Sequence, residues 1–261
     1  MDRKTELLAP AGSLAAFDAA LCYGADAIYV GGELLQLRAP GTAFSREALA
    51  DAIKRAHARG VKVYVTLNAL AHNEELLRLG EYGRFLCELG ADAAIVSDAG
   101  VLATLKQEAP ALPLHISTQA SVLNYAAARL WHELGAERIV LAREMRLTDI
   151  AELRAKTPAD LSIEAFVHGA MCMAYSGRCL ISAALLGRSG NRGDCAQPCR
   201  WNYSLMEEKR PNEFFPIEEE GGTSTLLSSC DLNCIGILPE LRKAGVDSFK
   251  IEGRMKTEYY V

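Results

Sequence analysis

One pattern returns five times and constrains the fold more than any other feature. A helix-like segment stops at glycine, a small or apolar residue follows, an acid usually comes next, and a short β-branched run begins. The copies are YGADAIYV from residue 23, RGVKVYV from 59, LGADAAIV from 89, LGAERIVL from 134 and AGVDSFKI from 244. Glycine suits the left-handed position that closes a helix, and a Val/Ile-rich run suits a parallel strand buried on both faces. Each copy therefore reads as a helix-to-strand junction. ELLAPAG near residue 6, PLHIST near 113 and SIEAFVHG near 162 bring the strands to eight, with amphipathic helical patterns between most of them.

Strands are predicted at 6–9, 27–31, 62–67, 93–97, 114–117, 138–142, 162–167 and 246–251. Eight βα units imply an α/β fold of the (β/α)8, TIM-like barrel type, whose strand tips carry the active site. A doubly wound open sheet is the alternative. No G-x-G-x-x-G follows the first strand, which weakens the dinucleotide-binding form of that alternative. The chain has 261 residues, half of them hydrophobic, enough for one large core. A single barrel domain over 1–261 is expected.

Two irregularities stand out. Residues 169–245, between the last two strands, far exceed the ~2–6 residues of an ordinary βα loop. This cysteine-rich insertion should roof the active face. The final segment, MKTEYYV, reads as the start of a truncated last helix, so a piece of a longer protein is expected. EEKRPNEFFPIEEEGG, at 207–222, reads as a solvent-exposed excursion. The net charge of −5 gives no overall attraction for phosphate but leaves room for a local basic patch. No signal peptide or membrane span is legible, so a cytoplasmic location without membrane contact is expected.

Six of the eight cysteines fall in the insertion. In a reducing compartment, clustered cysteines are more often metal ligands or catalytic thiols than disulfides. Cys172, Cys179, Cys195 and Cys199 are separated by six, fifteen and three residues. Four thiolates at one place can hold an iron–sulfur cluster or a structural zinc. The spacing favours a [4Fe-4S] cluster, because zinc ribbons use two short knuckles and only Cys195 and Cys199 form a close pair here; zinc stays open. Cys22 and Cys87 lie on apolar helix faces and read as core thiols. Cys230 and Cys234 are candidate replacement ligands.

Polar residues at strand tips should point into the site. Asn68, Asp98, Gln119, Arg143, Glu144, His168, Glu252 and Arg254 all stand there. His168 is a candidate catalytic group four residues before Cys172, or an orienting hydrogen bond in a βα turn. Asp98 joins it in the candidate catalytic set. Glu164 is a buried acid for proton transfer, or half of an ion pair inside the barrel. Arg143 and Arg254 offer bidentate recognition of carboxylate or phosphate, or internal salt bridges to Glu144 or Glu252. Asn68, Gln119 and Glu252 complete the expected binding pocket. No G-x-S-x-G elbow, H-E-x-x-H motif or phosphate-binding P-loop is present.

EAFVHGAMCMAYSGRCLIS, NRGDCAQPCRWNYSL, EEKRPNEFFPIEE and VDSFKIEGRMKTEYYV resemble the collagenase-like peptidase family, peptidase family U32. ELLAPAGSLAAFDAALCYGADAIYVGG and LHISTQASVLN continue the likeness over essentially the whole chain. Despite its label, that family includes members that act in oxygen-independent or prephenate-linked hydroxylation. Their substrates are a wobble uridine in tRNA, a cytidine in ribosomal RNA, and ubiquinone precursors. The resemblance implies a [4Fe-4S] cluster on Cys172, Cys179, Cys195 and Cys199. The close pair Cys195/Cys199, from which the ubiquinone members depart, points to the RNA branch and to 5-hydroxyuridine in tRNA. It also implies prephenate as a carboxylated co-substrate, with Arg143 and Arg254 as its anchors, and tRNA as partner at the barrel mouth and through an RNA-related C-terminal region expected to be missing from this chain. The family name keeps a peptidase in contention, and a zinc-stabilised scaffold is a third possibility. Where the family often has a cysteine after the Asp-Leu pair, this chain has Asn233, with Cys230 and Cys234 displaced to either side.

Overall fold

Glycine ends the helix before the strand in every copy of the repeat. Gly24, Gly60, Gly90, Gly135 and Gly245 all adopt φ of 70° to 97°, a region that penalises any residue with a Cβ. In three copies an acid two residues later clamps the neighbouring strand. Asp26 donates its N–H to Leu7 O at 3.0 Å while its carboxylate accepts the Leu7 N–H at 2.9 Å. Asp92 does the same to Val63, at 3.0 and 2.8 Å, and Asp247 to Ile163, at 2.8 and 2.9 Å. The repeated motif thus stops a helix and sets the register of the next parallel strand.

The computed structural model describes residues 4–37, 43–172, 174–201, 204–206, 208–211, 214–216 and 231–261. The strands in chain order are β1 (Glu6–Pro10), β2 (Ala27–Gly31), β3 (Lys62–Leu67), β4 (Ala93–Val96), β5 (Leu114–Ile116), β6 (Arg138–Val140), β7 (Ser162–Gly169), β8 (Ser204–Met206), β9 (Phe214–Pro216), β10 (Leu232–Asn233) and β11 (Ser248–Ile251). The helices are α1 (Leu14–Cys22), α2 (Arg46–His57), α3 (Asn73–Leu89), α4 (Ala99–Glu108), α5 (Tyr125–Glu133), α6 (Leu147–Ala155), α7 (Ile181–Leu186) and α8 (Leu238–Lys243). β1 to β7 pair in sequence, β7 pairs with β11, and β11 returns to β1, all in parallel. This closed eight-stranded ring with surrounding helices is the (β/α)8 barrel expected from the repeat.

Side chains on each strand alternate between two buried environments. Ile28, Val30, Val63, Val65, Leu67, Ala94 and Val96 face the helices in the main core, while Leu8, Ala27, Tyr29, Tyr64, Ala93 and Ile95 fill the barrel interior. The floor of the interior is charged. Glu164, with no exposed surface, receives Arg138 Nη1 at 3.0 Å and Lys250 Nζ at 2.8 Å. Arg138 also pairs with Glu6, which accepts Tyr64 Oη at 2.7 Å and Ser248 Oγ at 2.9 Å. Burial pushes the Glu6 carboxyl up, but Arg138, Tyr64 and Ser248 together outweigh it and hold Glu6 below the usual carboxylate range.

Three expectations change. The end of the predicted insertion is α8, a crossover helix that buries Leu241 against α6, so the roof itself ends before it. Residues 252–261 form successive turns, with Lys256 N–H donating to Gly253 O and Tyr260 N–H to Thr257 O, in place of a helix start. Cys22 is exposed, because the buried stripe of α1 runs through Ala16, Phe17, Ala20 and Leu21 and leaves it outside. Cys87 is half-buried against the core as expected, and burial raises its thiol pKa. Most of the 207–222 excursion, and Cys230, lie outside the described residues. Among the described residues no helix is long and apolar enough to cross a membrane.

Candidate functional site

At the strand tips, a cavity of about 120 Å³ opens above the charged floor. Its wall brings together Asn68, Gln119, Arg143, Glu252 and Arg254, all expected from the sequence, with Cys172, Cys179 and Cys195. Lys250 joins them, unanticipated because it lies inside a strand rather than at its tip. Three cations therefore face one lining carboxylate, and an anionic ligand is favoured.

Each cation is held in place. The Arg143 guanidinium stacks 4.1 Å from the Phe166 ring and lies 3.5 Å from Glu252 Oε2. The Lys250 ammonium sits 4.4 Å from the Tyr29 ring while bound to Glu164. Arg254, only 3% exposed, donates to Thr66 Oγ1 at 3.0 Å and to Gln36 Oε1 at 3.3 Å. Two glycines make room for it: a Cβ at Gly12 would run into the Arg254 carbonyl, and one at Gly31 into its guanidinium and Gln36. Asn68 donates to Ser117 Oγ at 3.3 Å, while its buried Oδ1 has no partner among the described residues. That oxygen is a polar group in the cavity wall awaiting a donor.

A second cavity of about 280 Å³ adjoins the first on the outer side. Arg143, Glu252, Cys172 and Cys195 line both, and Cys199 and Arg200 line the outer one. Burial raises the Cys199 thiol pKa, and the nearby Cys172, Cys195 and Cys179 raise it further against the opposing charge of Arg200. Two sulfurs already accept backbone donors: Cys179 Sγ from Ile181 N–H at 3.4 Å and Cys195 Sγ from Gln197 N–H at 3.3 Å. Such bonds stabilise metal-bound thiolates and tune their potential. Among the described residues, no three or more of His, Cys, Asp and Glu converge on a point that would hold a single metal ion. A zinc needs every sulfur at about 2.3 Å from one centre, whereas a four-iron cluster offers each thiolate its own iron. Four cysteine sulfurs around adjoining cavities are a donor set whose chemistry suits an iron–sulfur cluster.

The insertion is stitched to the barrel rim. Glu144 at the tip of β6 accepts both the N–H and the Oγ of Ser176, each at 2.6 Å. Ser176 is buried and takes φ 44°, the left-handed region. Arg178 Nε donates to Gln119 O at 3.3 Å, and Leu70 N–H donates to Asn191 O at 3.1 Å. Nothing in the local sequence marks Glu144, Ser176 or Asn191 as fasteners, because their partners lie on distant segments.

The candidate catalytic set is not brought together. Asp98 caps α4, its carboxylate accepting the N–H groups of Gly100 and Val101 at 2.8 and 3.1 Å. Glu164 is neutralised from both sides in the floor, which corrects the acid/base expectation in favour of the ion pair. His168 is exposed beside Tyr260, 6.0 Å between ring centroids, and lines neither cavity, because β10 and the turn after β11 hold its backbone. Cys234 is buried against β7 in the apolar core, its N–H on Val167 O, away from both cavities.

Comparisons with known proteins identify relatives of the chain. The chain is 42% identical over 259 residues to tRNA hydroxylation protein P1 of Bacillus subtilis, covering 99% of this chain and 61% of that protein. It is 40% identical to the 23S rRNA 5-hydroxycytidine C2501 synthase of Escherichia coli, covering 99% of this chain and 38% of that one. The chain thus spans less than two thirds of the length of the curated relatives it matches first. Among solved structures, the U32 peptidase Mk0906 superposes with a TM-score of 0.61 at 16% identity, over 96% of this chain and 93% of that one, which supports the barrel. The profile of peptidase family U32 matches residues 12–261, and the chain belongs to that family.

Proposed function

We propose that this protein takes part in hydroxylating a pyrimidine of RNA, with the wobble uridine of tRNA, converted to 5-hydroxyuridine, as the first candidate. The observation that carries the reading is the meeting of a cation-lined cavity with four cysteines at one barrel mouth. Cys172, Cys179, Cys195 and Cys199 would hold a [4Fe-4S] cluster, which when bound supplies one-electron chemistry and a Lewis-acidic iron. Arg143 and Arg254, joined by Lys250, bind and orient a small carboxylated co-substrate in the inner cavity, prephenate being the one the family resemblance suggests. Charge-assisted bonds from two guanidinium groups fix such a ligand in one pose. Phe166 and Tyr29 flank the cations and limit water around them. The base must leave its stack to reach the cysteines, since pyrimidine chemistry needs an extruded ring.

The 40% identity to an rRNA hydroxycytidine synthase supports ribosomal cytidine as the second substrate candidate. A collagenase-like peptidase is the weaker reading, because His168 and Glu164, its most plausible engine, stand outside the cavities. The test is metal and acid-labile sulfide analysis of protein prepared without oxygen, paired with nucleoside analysis of RNA from cells with and without the gene. About four irons and four sulfides per chain, with a hydroxylated pyrimidine that depends on the gene, are expected. One zinc with no sulfide and unchanged nucleosides would return the scaffold and peptidase readings.

A further inference from the structure

The first part of the insertion, residues 169–201, differs in charge from the chain as a whole. Residues 169–201 hold four arginines, Arg178, Arg188, Arg192 and Arg200, against the single acid Asp194, in a protein of net charge −5. Two of the four are already paired, Arg188 with Asp194 and Arg192 with Glu75. Arg200 is exposed at the wall of the outer cavity, where Lys256 lines the facing side, and among the described residues no carboxylate pairs with either. Trp201, next to Arg200 in the chain, is 43% exposed, and Met255, on the cavity wall, is 49% exposed. Two exposed cations on one cavity wall without a carboxylate partner, Lys256 holding only the Tyr260 ring at 5.3 Å, are a surface suited to an anionic partner.

We infer that this face is where the RNA docks: Arg200 and Lys256 take backbone phosphates, Trp201 stacks a neighbouring base, and the target pyrimidine enters the outer cavity. The inference rests on the RNA-modification reading and adds to it a division of labour between the two cavities. Alternating cations and an exposed aromatic suit single-stranded RNA, because every base has a face that stacks while phosphates recur along the strand. Cys172, Cys195, Arg143 and Glu252 form the wall shared by the cavities. An extruded base in the outer cavity and a small anion in the inner one therefore meet the cysteines from opposite sides. An overall acidic chain acquires an RNA-binding face through one locally basic segment, residues 169–201.

The experiment measures binding of a fluorescein-labelled RNA hairpin with a single-stranded loop, by anisotropy over a salt series. Wild-type protein is compared with Arg200→Ala/Lys256→Ala and with Trp201→Ala. The double variant is expected to lose roughly tenfold in affinity at low salt and to lower the log–log salt slope by about 1.4, at about 0.7 per single-strand phosphate contact. Trp201→Ala is expected to weaken binding by roughly tenfold with the slope unchanged. In parallel, a hairpin carrying 4-thiouridine in its loop should crosslink to the peptide containing Cys195 to Trp201. Wild-type affinity and slope in both variants, crosslinks confined to another face, or displacement of the RNA by polyglutamate with equal dependence on Trp201 would overturn the inference. The RNA-modification reading fails separately, when hydroxylated pyrimidines in cellular RNA do not depend on the gene whatever the hairpin does.

Discussion

The side-chain amide of Asn191 meets the backbone of Cys179 twice: Oδ1 accepts the Cys179 N–H at 3.1 Å, and Nδ2 donates to the Cys179 carbonyl at 3.2 Å. The same residue accepts Leu70 N–H through its own carbonyl, so one asparagine ties a cysteine of the centre to the rim of β3. Asn191→Ala removes both amide bonds, a loss of about 1–3 kcal/mol if the half-buried Cys179 groups stay unpaired. Iron of the proposed cluster should then leave faster under a chelator, followed as decay of the visible absorbance, with Asn191→Asp intermediate because it keeps only the acceptor. Equal decay in wild type and both variants would remove Asn191 from any positioning role.

The Glu144 clasp on Ser176 makes a prediction about order in the insertion. Both carboxylate oxygens are engaged at 2.6 Å by a residue whose left-handed backbone is itself unfavourable for serine. Glu144→Ala should let this loop open, and trypsin should cut after the exposed Arg178 at least several-fold faster than in wild type. Glu144→Gln, which keeps one acceptor oxygen, should lie between. An unchanged cleavage rate would mean that the remaining contacts suffice.

Glu164 separates a structural from a chemical role. It is fully buried and offsets the charges of both Arg138 and Lys250. Glu164→Gln leaves two buried cations with one carboxylate fewer, and breaking such a pair from one side costs about 3–5 kcal/mol. A clear fall in the urea midpoint is expected. A normal midpoint with lost activity would restore Glu164 as a proton carrier.

His115 gives the floor a pH dependence. Burial depresses its imidazole pKa well below the ordinary value of 6.5, and the charges of Arg138, Lys250 and Lys62 lower it further. Above pH 6.5 the ring is neutral in both folded and unfolded chains, so it adds no pH dependence there. As pH falls below 6.5, the unfolded chain binds a proton that the folded one refuses, and stability drops by up to about 1.4 kcal/mol per pH unit. Glu6, held below its usual 4.5, adds a second loss only at pH values lower than that. Urea midpoints between about pH 7.5 and 5.5 should slope for wild type and be flatter for His115→Phe, whose ring can keep the edge contact with Tyr64. Parallel slopes for the two proteins would rule out His115 as the source.

The amino-acid sequence by itself determined the barrel, because its signals are local. A glycine that must take positive φ, as at Gly90, and a Val/Ile run buried on both faces act within a few residues, so the eight strands could be placed before any contact was known. The cysteine quartet and the tip residues Asn68, Gln119, Arg143, Glu252 and Arg254 were legible for a related reason: loop and tip positions follow from where the strands end. Only the tertiary structure decided which charged residues face the cavity and which are spent on the fold. A barrel strand is buried on both sides, so its sequence carries no apolar–polar alternation to say which side chains point inward. Lys250 and Glu164 thus look alike as polar residues within strands, yet one lines the cavity and the other neutralises it from below. His168 and Asp98 likewise read as tip residues, but β10 and the cap of α4 claim them. Asp92 and Glu144 depend on partners 29 and 32 residues away, and Asn191 on Cys179, 12 residues away, and on the distant Leu70; only tertiary packing brings those partners within bonding distance.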